Sequence, residues 1–107
     1  DNQFSIRFGD CMLLKEVRKI LTLHKRDLFQ YGVQSLAVFG SIARGEGSVH
    51  SDIDLLVDFD SKKGLFGFVL LKGFLEKILH RDVDLVTKNA LHPALREKIL
   101  LEARHVL

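Results

Sequence analysis

The chain has 107 residues, and 16 lysines and arginines against 14 acidic residues leave a formal charge of +2. Apolar residues at 47% and charged residues at 28% are the balance of one ordinary soluble domain. These figures argue against a multidomain enzyme, a membrane span, a disulfide scaffold and a polybasic nucleic-acid surface, and leave room for a small enzyme with a half-open site.

Residues 1–10 have weak periodicity and are expected to form a lead-in or arm ahead of a single domain over 11–107. Asp1-Asn2-Gln3-Phe4 lacks the basic start and apolar stretch of a signal peptide. The sole cysteine, Cys11, reads as a small filler in a reducing, cytoplasmic setting. From Leu13 onward, Leu14, Val17, Ile20, Leu21, Leu28 and Phe29 follow helical spacing, with a break near His24-Lys25-Arg26 and a stop at Gly32. Val33 to Phe39 is a β-prone run ended by Gly40-Ser41, and a loop rich in glycine, serine and charge follows over 41–51. Ile53 to Phe59 reads as an interior strand, because its centre is apolar on both faces. After a polar turn, Leu65 to Leu79 is long enough for a helix despite Gly67 and Gly73. Its richest apolar run stops at Lys72, too early to cross a bilayer. Asp82 to Thr87 is a third strand. Asn89 is placed to cap a last helix starting near Pro93, with Leu95, Ile99, Leu100 and Ala103 as its inner face. This order predicts an α+β fold, an α/β-type sandwich of three or more strands backed by helices. Pattern alone leaves the strand directions open.

Two features carry chemistry. Gly40-Ser41 leaves an apolar strand directly and is followed by Ala43-Arg44-Gly45. Such a turn can aim consecutive backbone N–H groups and a serine hydroxyl at one phosphate, although a plain turn has the same appearance. The second feature is Asp52-Ile53-Asp54. Residues two apart along a strand project to one face with Cα atoms about 6.6 Å apart, so both carboxylates can reach one metal site or bridge two ions. Side by side they repel, and a divalent cation is their natural partner; an exposed acidic strand end is the plainer alternative. Asp82 and Asp84 repeat the spacing, and Asp84 lies within an apolar stretch where a carboxylate needs a partner. If the third strand lies beside the second, Asp84 completes a three-carboxylate site. Hard oxygen ligands suit magnesium, which takes phosphate oxygens as further ligands. Together these residues point to metal-dependent phosphoryl or nucleotidyl transfer, with Asp84 the simplest acceptor of the attacking hydroxyl's proton.

Phe39-Gly40-Ser41-Ile42-Ala43-Arg44-Gly45 followed by Ser51-Asp52-Ile53-Asp54-Leu55-Leu56-Val57 resembles the signature of the polymerase-β-type nucleotidyltransferase superfamily. The shortness of the chain, Val83-Asp84-Leu85-Val86-Thr87 and the helical end liken it to the minimal nucleotidyltransferases (MNT) of prokaryotes, from about Leu14 to Leu107. The resemblance implies a mixed sheet with helices packed against it. It implies that Gly40 and Ser41 hold the triphosphate of ATP, that Asp52 and Asp54 bind magnesium as two ions, and that Asp84 is the third acidic residue, at the metal and the acceptor. Arg44 matches a common arginine of this loop, which either reaches the phosphates or pairs with Glu46. Asp58 is expected in a structural or supporting role. Family members often act as the antitoxin beside a helical HEPN-type toxin and transfer AMP from ATP to a tyrosine of that partner. The alternatives are a non-catalytic antitoxin module and a nucleotidyltransferase acting on a small-molecule hydroxyl; a nucleic-acid end is disfavoured because no basic tract follows a backbone.

Weaker signals complete the reading. The helix over 65–79 is apolar around nearly its whole circumference, so part of it is expected to meet a partner chain or a second copy. Lys62 and Lys63 belong to a solvated turn or meet phosphates. His24, His50, His80, His92 and His105 have no zinc-ligand spacing, and Phe29 and Tyr31 are expected in the core and at a helix end.

Overall fold

The computed structural model describes residues 14–45 and 52–107. The expected lead-in over 1–10, Cys11, Leu13 and the loop positions Glu46, His50 and Ser51 lie outside the described residues.

Helices α1 (Leu14–Leu23) and α2 (Lys25–Gln30) are separated at His24, where the sequence places a break. The His24 ring nitrogen Nδ1 lies 2.9 Å from the Ile20 carbonyl oxygen, which satisfies the end of α1. Gly32, at φ +102°, turns the chain into β1 (Val33–Phe39). A single helical turn, α3 (Gly40–Ala43), leads to β2 (Ile53–Phe59), which runs antiparallel to β1. A short 3-10 turn precedes α4 (Gly64–Leu79), and α4 carries the chain over to β3 (Val83–Thr87), parallel to β2. Parallel neighbours need such a crossover, which a tight hairpin cannot supply. Helix α5 (Pro93–Glu102) and a two-residue strand β4 (Arg104–His105) end the fold. The sheet order is β3-β2-β1-β4, with β4 antiparallel to β1, so the sheet is mixed.

Both faces of the sheet are covered. On one, Val17, Leu21, Leu28, Leu71, Leu75 and Leu79 from the first helices and α4 bury Leu36, Val38, Ile53, Leu55, Val57, Val83 and Leu85. On the other, Ile99 of α5, Ala103 directly after that helix and Leu91 pack on Ala37, Phe39, Leu56 and Val86. The two-sided apolar pattern of β2 follows from this burial on both faces.

Three expectations are corrected. The cap of α5 is His92, whose Nδ1 accepts the Ala94 N–H at 3.1 Å, whereas Asn89 sits in a 3-10 turn over Lys88–Ala90. An imidazole one residue ahead of Pro93 has the reach to the first free N–H that Asn89 lacks. Leu95 and Leu100 are not on the inner face of α5: they are 53% and 42% exposed, because the apolar patch on that side of the sheet is small and Ile99 and Ala103 fill it. Phe29 is a surface residue with the Lys25 ammonium 5.6 Å from its ring centroid, while Tyr31 stacks on Phe74 at 4.7 Å. Strand β4 has no sequence signal. It forms where β1 offers an unpaired edge, and Val106 continues the contact by donating to the Leu36 carbonyl at 2.9 Å.

Helix α4 turns Leu71, Leu75 and Leu79 inward at a four-residue spacing and leaves Leu65, Phe66, Val69 and Leu70 exposed. Gly67 lies where a Cβ would press on Lys63, whereas the position beside Gly73 is open. Among the described residues no helix is long and apolar enough to cross a membrane. In urea denaturation, Leu75→Ala should cost about 2–5 kcal/mol, while Phe66→Ser should stay within about 0.5 kcal/mol of the parent.

Candidate active site

Register assembles the site. Phe39, the last residue of β1, is opposite Asp54, and Asp54 is opposite Asp84 across the parallel ladder. One sheet end therefore carries the exit of β1 and the entries of β2 and β3. Phe39, Asp54 and Asp84 share the face on which α5 packs, with Ala37, Leu56 and Val86 next along it. Two backbone-level contacts hold the acidic end in place. The Ile53 N–H donates to the Asp82 carbonyl at 3.0 Å, and the Val83 N–H donates to Glu76 Oε2 of α4 at 3.1 Å. Asp82 thus joins β3 to β2 through its backbone at the strand edge, with its side chain exposed.

Gly40 adopts φ +73°, and a Cβ there would overlap the Asp54 carboxylate. Glycine is required on two counts, the left-handed backbone and the close approach. The turn that follows is anchored by Ile42, which is buried in the main core, and closed by the Arg44 N–H on the Gly40 carbonyl at 3.2 Å. Ser41 is half-buried beside it. The phosphate-type turn and the carboxylates read from sequence are therefore brought together at one sheet end.

Burial raises the Asp54 carboxyl above the ordinary aspartate range, and the neighbouring charges of Asp84 and Asp52 add to the rise while Arg44 opposes it. Asp52 and Asp84 are exposed. Among the described residues no three His, Cys, Asp or Glu side chains are already gathered as a metal-binding group. The carboxylates are neighbours that feel each other's charge, not a closed cage. Their hard oxygens fit a divalent cation in donor type, and such an ion would remove the repulsion that lifts Asp54.

Sequence reading missed Glu102, the last residue of α5. Its Oε1 accepts from the Gly40 N–H at 2.8 Å and from Arg44 Nη1 at 3.0 Å. Burial alone would raise this carboxyl, but those two bonds and the Arg44 charge outweigh burial and hold it below the usual glutamate value. Glu102 lies 62 positions from Gly40, so no local spacing signals the contact. The one available sign is a glutamate three residues after Ile99, on the inward stripe of α5. Arg44 forms an ion pair with Glu102, while the other partner expected for it, Glu46, lies outside the described residues.

Other candidates lie elsewhere. Asp58 is exposed four residues further along β2, about 13 Å from Asp54 by strand rise, with Leu56 between them. Lys62 and Lys63 occupy the exposed turn at that far end of β2, which agrees with a solvated turn. An apolar recess of about 470 Å³ lined by Phe59, Leu65, Phe68, Leu85, Val86 and Ala90 also opens toward that end, away from the carboxylates.

The model of the nucleotidyltransferase domain family matches residues 14–107. The protein adenylyltransferase MntA of Thermococcus cleftensis is 41% identical over 96 residues, covering 89% of this chain and 97% of the relative. A solved structure of a candidate minimal nucleotidyltransferase is similar at TM-score 0.68 and 40% identity, over 86% of this chain and 94% of that one. A crystal structure of a toxin–antitoxin pair with AMP-PNP has the same fold, with TM-score 0.68, 23% identity, and coverage of 84% and 72%.

Two substitutions probe this arrangement. Gly40→Ala should destabilise the fold by about 1–3 kcal/mol, read by denaturation, and weaken nucleotide binding in parallel. Because the folded state disfavours the Asp54 charge, Asp54→Asn should raise the metal-free melting temperature by a few degrees at neutral pH. That gain should vanish as the pH falls and Asp54 itself becomes neutral, which melting curves across pH will show.

Proposed function

The chain belongs to the nucleotidyltransferase domain family, and from that premise we propose that it transfers AMP from ATP to a tyrosine hydroxyl of a helical, HEPN-type toxin, as the antitoxin of the pair. The observation that carries this reading is the placement of Asp54 between the Gly40-Ser41 turn and Asp84. The name of the Thermococcus relative supports a protein acceptor, and the toxin–antitoxin fold neighbour supports the setting.

The roles follow from position. The turn N–H groups and the Ser41 hydroxyl face the phosphates, and Arg44 neutralises the charge that collects on the leaving pyrophosphate. Asp52, Asp54 and Asp84 would hold magnesium, and their oxygens suffice for two ions. Bound magnesium neutralises phosphate charge and acidifies the attacking hydroxyl. Asp84 accepts the proton as the tyrosine oxygen bonds to the α-phosphorus, and the bond from that phosphorus to pyrophosphate breaks. Asp52 and Asp84 are exposed, so a hydroxyl carried on another protein can approach them without a dedicated pocket in this chain. The apolar flank of α4 at Leu65, Phe66, Val69 and Leu70 offers a surface for that protein or for a second copy. The same flank favours a second reading, an antitoxin that acts by occlusion alone.

Incubation with ATP, magnesium and the product of the adjacent gene, followed by intact mass measurement, separates the readings. AMP should appear on tyrosine, and Asp52→Asn with Asp54→Asn should slow transfer at least about a thousandfold. Transfer and neutralisation that both survive the double substitution would sink the enzymatic reading. Neutralisation without any transfer by the parent chain would leave occlusion as the function.

A further inference from the structure

A single carboxylate oxygen, Glu102 Oε1, holds two donors of the turn at once: the Gly40 N–H at 2.8 Å and Arg44 Nη1 at 3.0 Å. A backbone N–H at the entry of a helical turn together with a guanidinium is the donor pair that phosphate oxygens use. We propose that Glu102 is a built-in stand-in for phosphate, which occupies the turn when no nucleotide is present and competes with the triphosphate for it. This rests on the assignment of Gly40, Ser41 and Arg44 to the phosphates.

The seat of Glu102 suits an exchangeable group. Its side chain is 18% exposed and that of Arg44 is 45% exposed, so the ion pair lies at the rim of the site and water can reach both partners. Helix α5 has no fully buried residue and is held on the sheet by Ile99 and Ala103. The carboxylate can therefore swing out without opening the main core, which lies on the other face. A triphosphate carries more negative charge than one carboxylate and would share magnesium with the aspartates, so it displaces Glu102. Pyrophosphate, once cut from AMP, has lost part of that hold, and the returning carboxylate helps to expel it. The opposite role is equally definite: a fixed prop that aims Arg44 at the substrate. The two roles give opposite signs when the charge is removed.

Glu102→Gln keeps the shape and the acceptor oxygen and removes the charge. In calorimetry on the full chain with magnesium, a non-hydrolysable ATP analogue and pyrophosphate should each bind about 3–10-fold more tightly to the variant than to the parent. Unchanged or weaker binding by a folded variant overturns the proposal, and weaker binding makes Glu102 a prop. A second measurement needs no variant: in the parent chain, the side-chain carboxyl resonance of Glu102 should move toward a solvated value as the analogue binds. A carboxyl resonance that stays put while the analogue is bound also overturns it. If the parent chain fails to bind the analogue at all, the phosphate assignment itself falls. Binding by the parent without these changes removes only the role of Glu102.

Discussion

The alignment of Asp54 with Asp84 across two parallel strands is the constraint on which the site depends. A one-residue slip of β3 would send the Asp84 side chain to the opposite face, among the leucines of the main core, where an unpaired carboxylate is costly. That register is held from several sides. Val83 and Leu85 are apolar on the face covered by α4, the Glu76 side chain binds the first N–H of β3, and the Asp82 carbonyl accepts from Ile53. Helix α4 serves this alignment too, because a parallel neighbour is reached only through a crossover.

Asp54 also explains the backbone on its other side. The strand-to-turn exit passes so near its carboxylate that position 40 has no room for a side chain. One acidic residue thus sets a glycine in the preceding segment, meets a carboxylate in the following strand, and has its proton affinity raised by burial and by both neighbouring aspartates. Such a cluster is poorly satisfied by protein groups alone, and the proposed magnesium relieves it. The turn proposed to hold phosphate has the complementary need for an acceptor, which Glu102 meets from within the chain.

The two faces of the sheet divide the labour. The face under α1, α2 and α4 is thickly packed and carries most of the buried leucine and valine. The other bears the carboxylates at one end and only a small apolar patch beneath α5. Lightly covering the carboxylate-bearing face leaves Asp52 and Asp84 in reach of solvent and leaves Leu95 and Leu100 of α5 outside any core.

Strands β1 and β2, the break at His24, the helix over 65–79 and the acidic pairs were legible because each is written in neighbouring residues. Alternation, helical spacing, glycine stops and carboxylates two apart are local patterns with local physical causes. The glycine turn out of β1 was legible for the same reason. The cap at His92, the exposure of Leu95 and Leu100, and the edge strand at Arg104 were not, since each depends on how much sheet surface or free edge remains after the larger elements have packed. Strand direction, the meeting of Asp54 with Asp84, and the reach of Glu102 to Gly40 belong to tertiary structure alone. These contacts join residues 30 and 62 positions apart. No periodicity spans such distances; only burial of both sheet faces brings those residues to one end of the sheet.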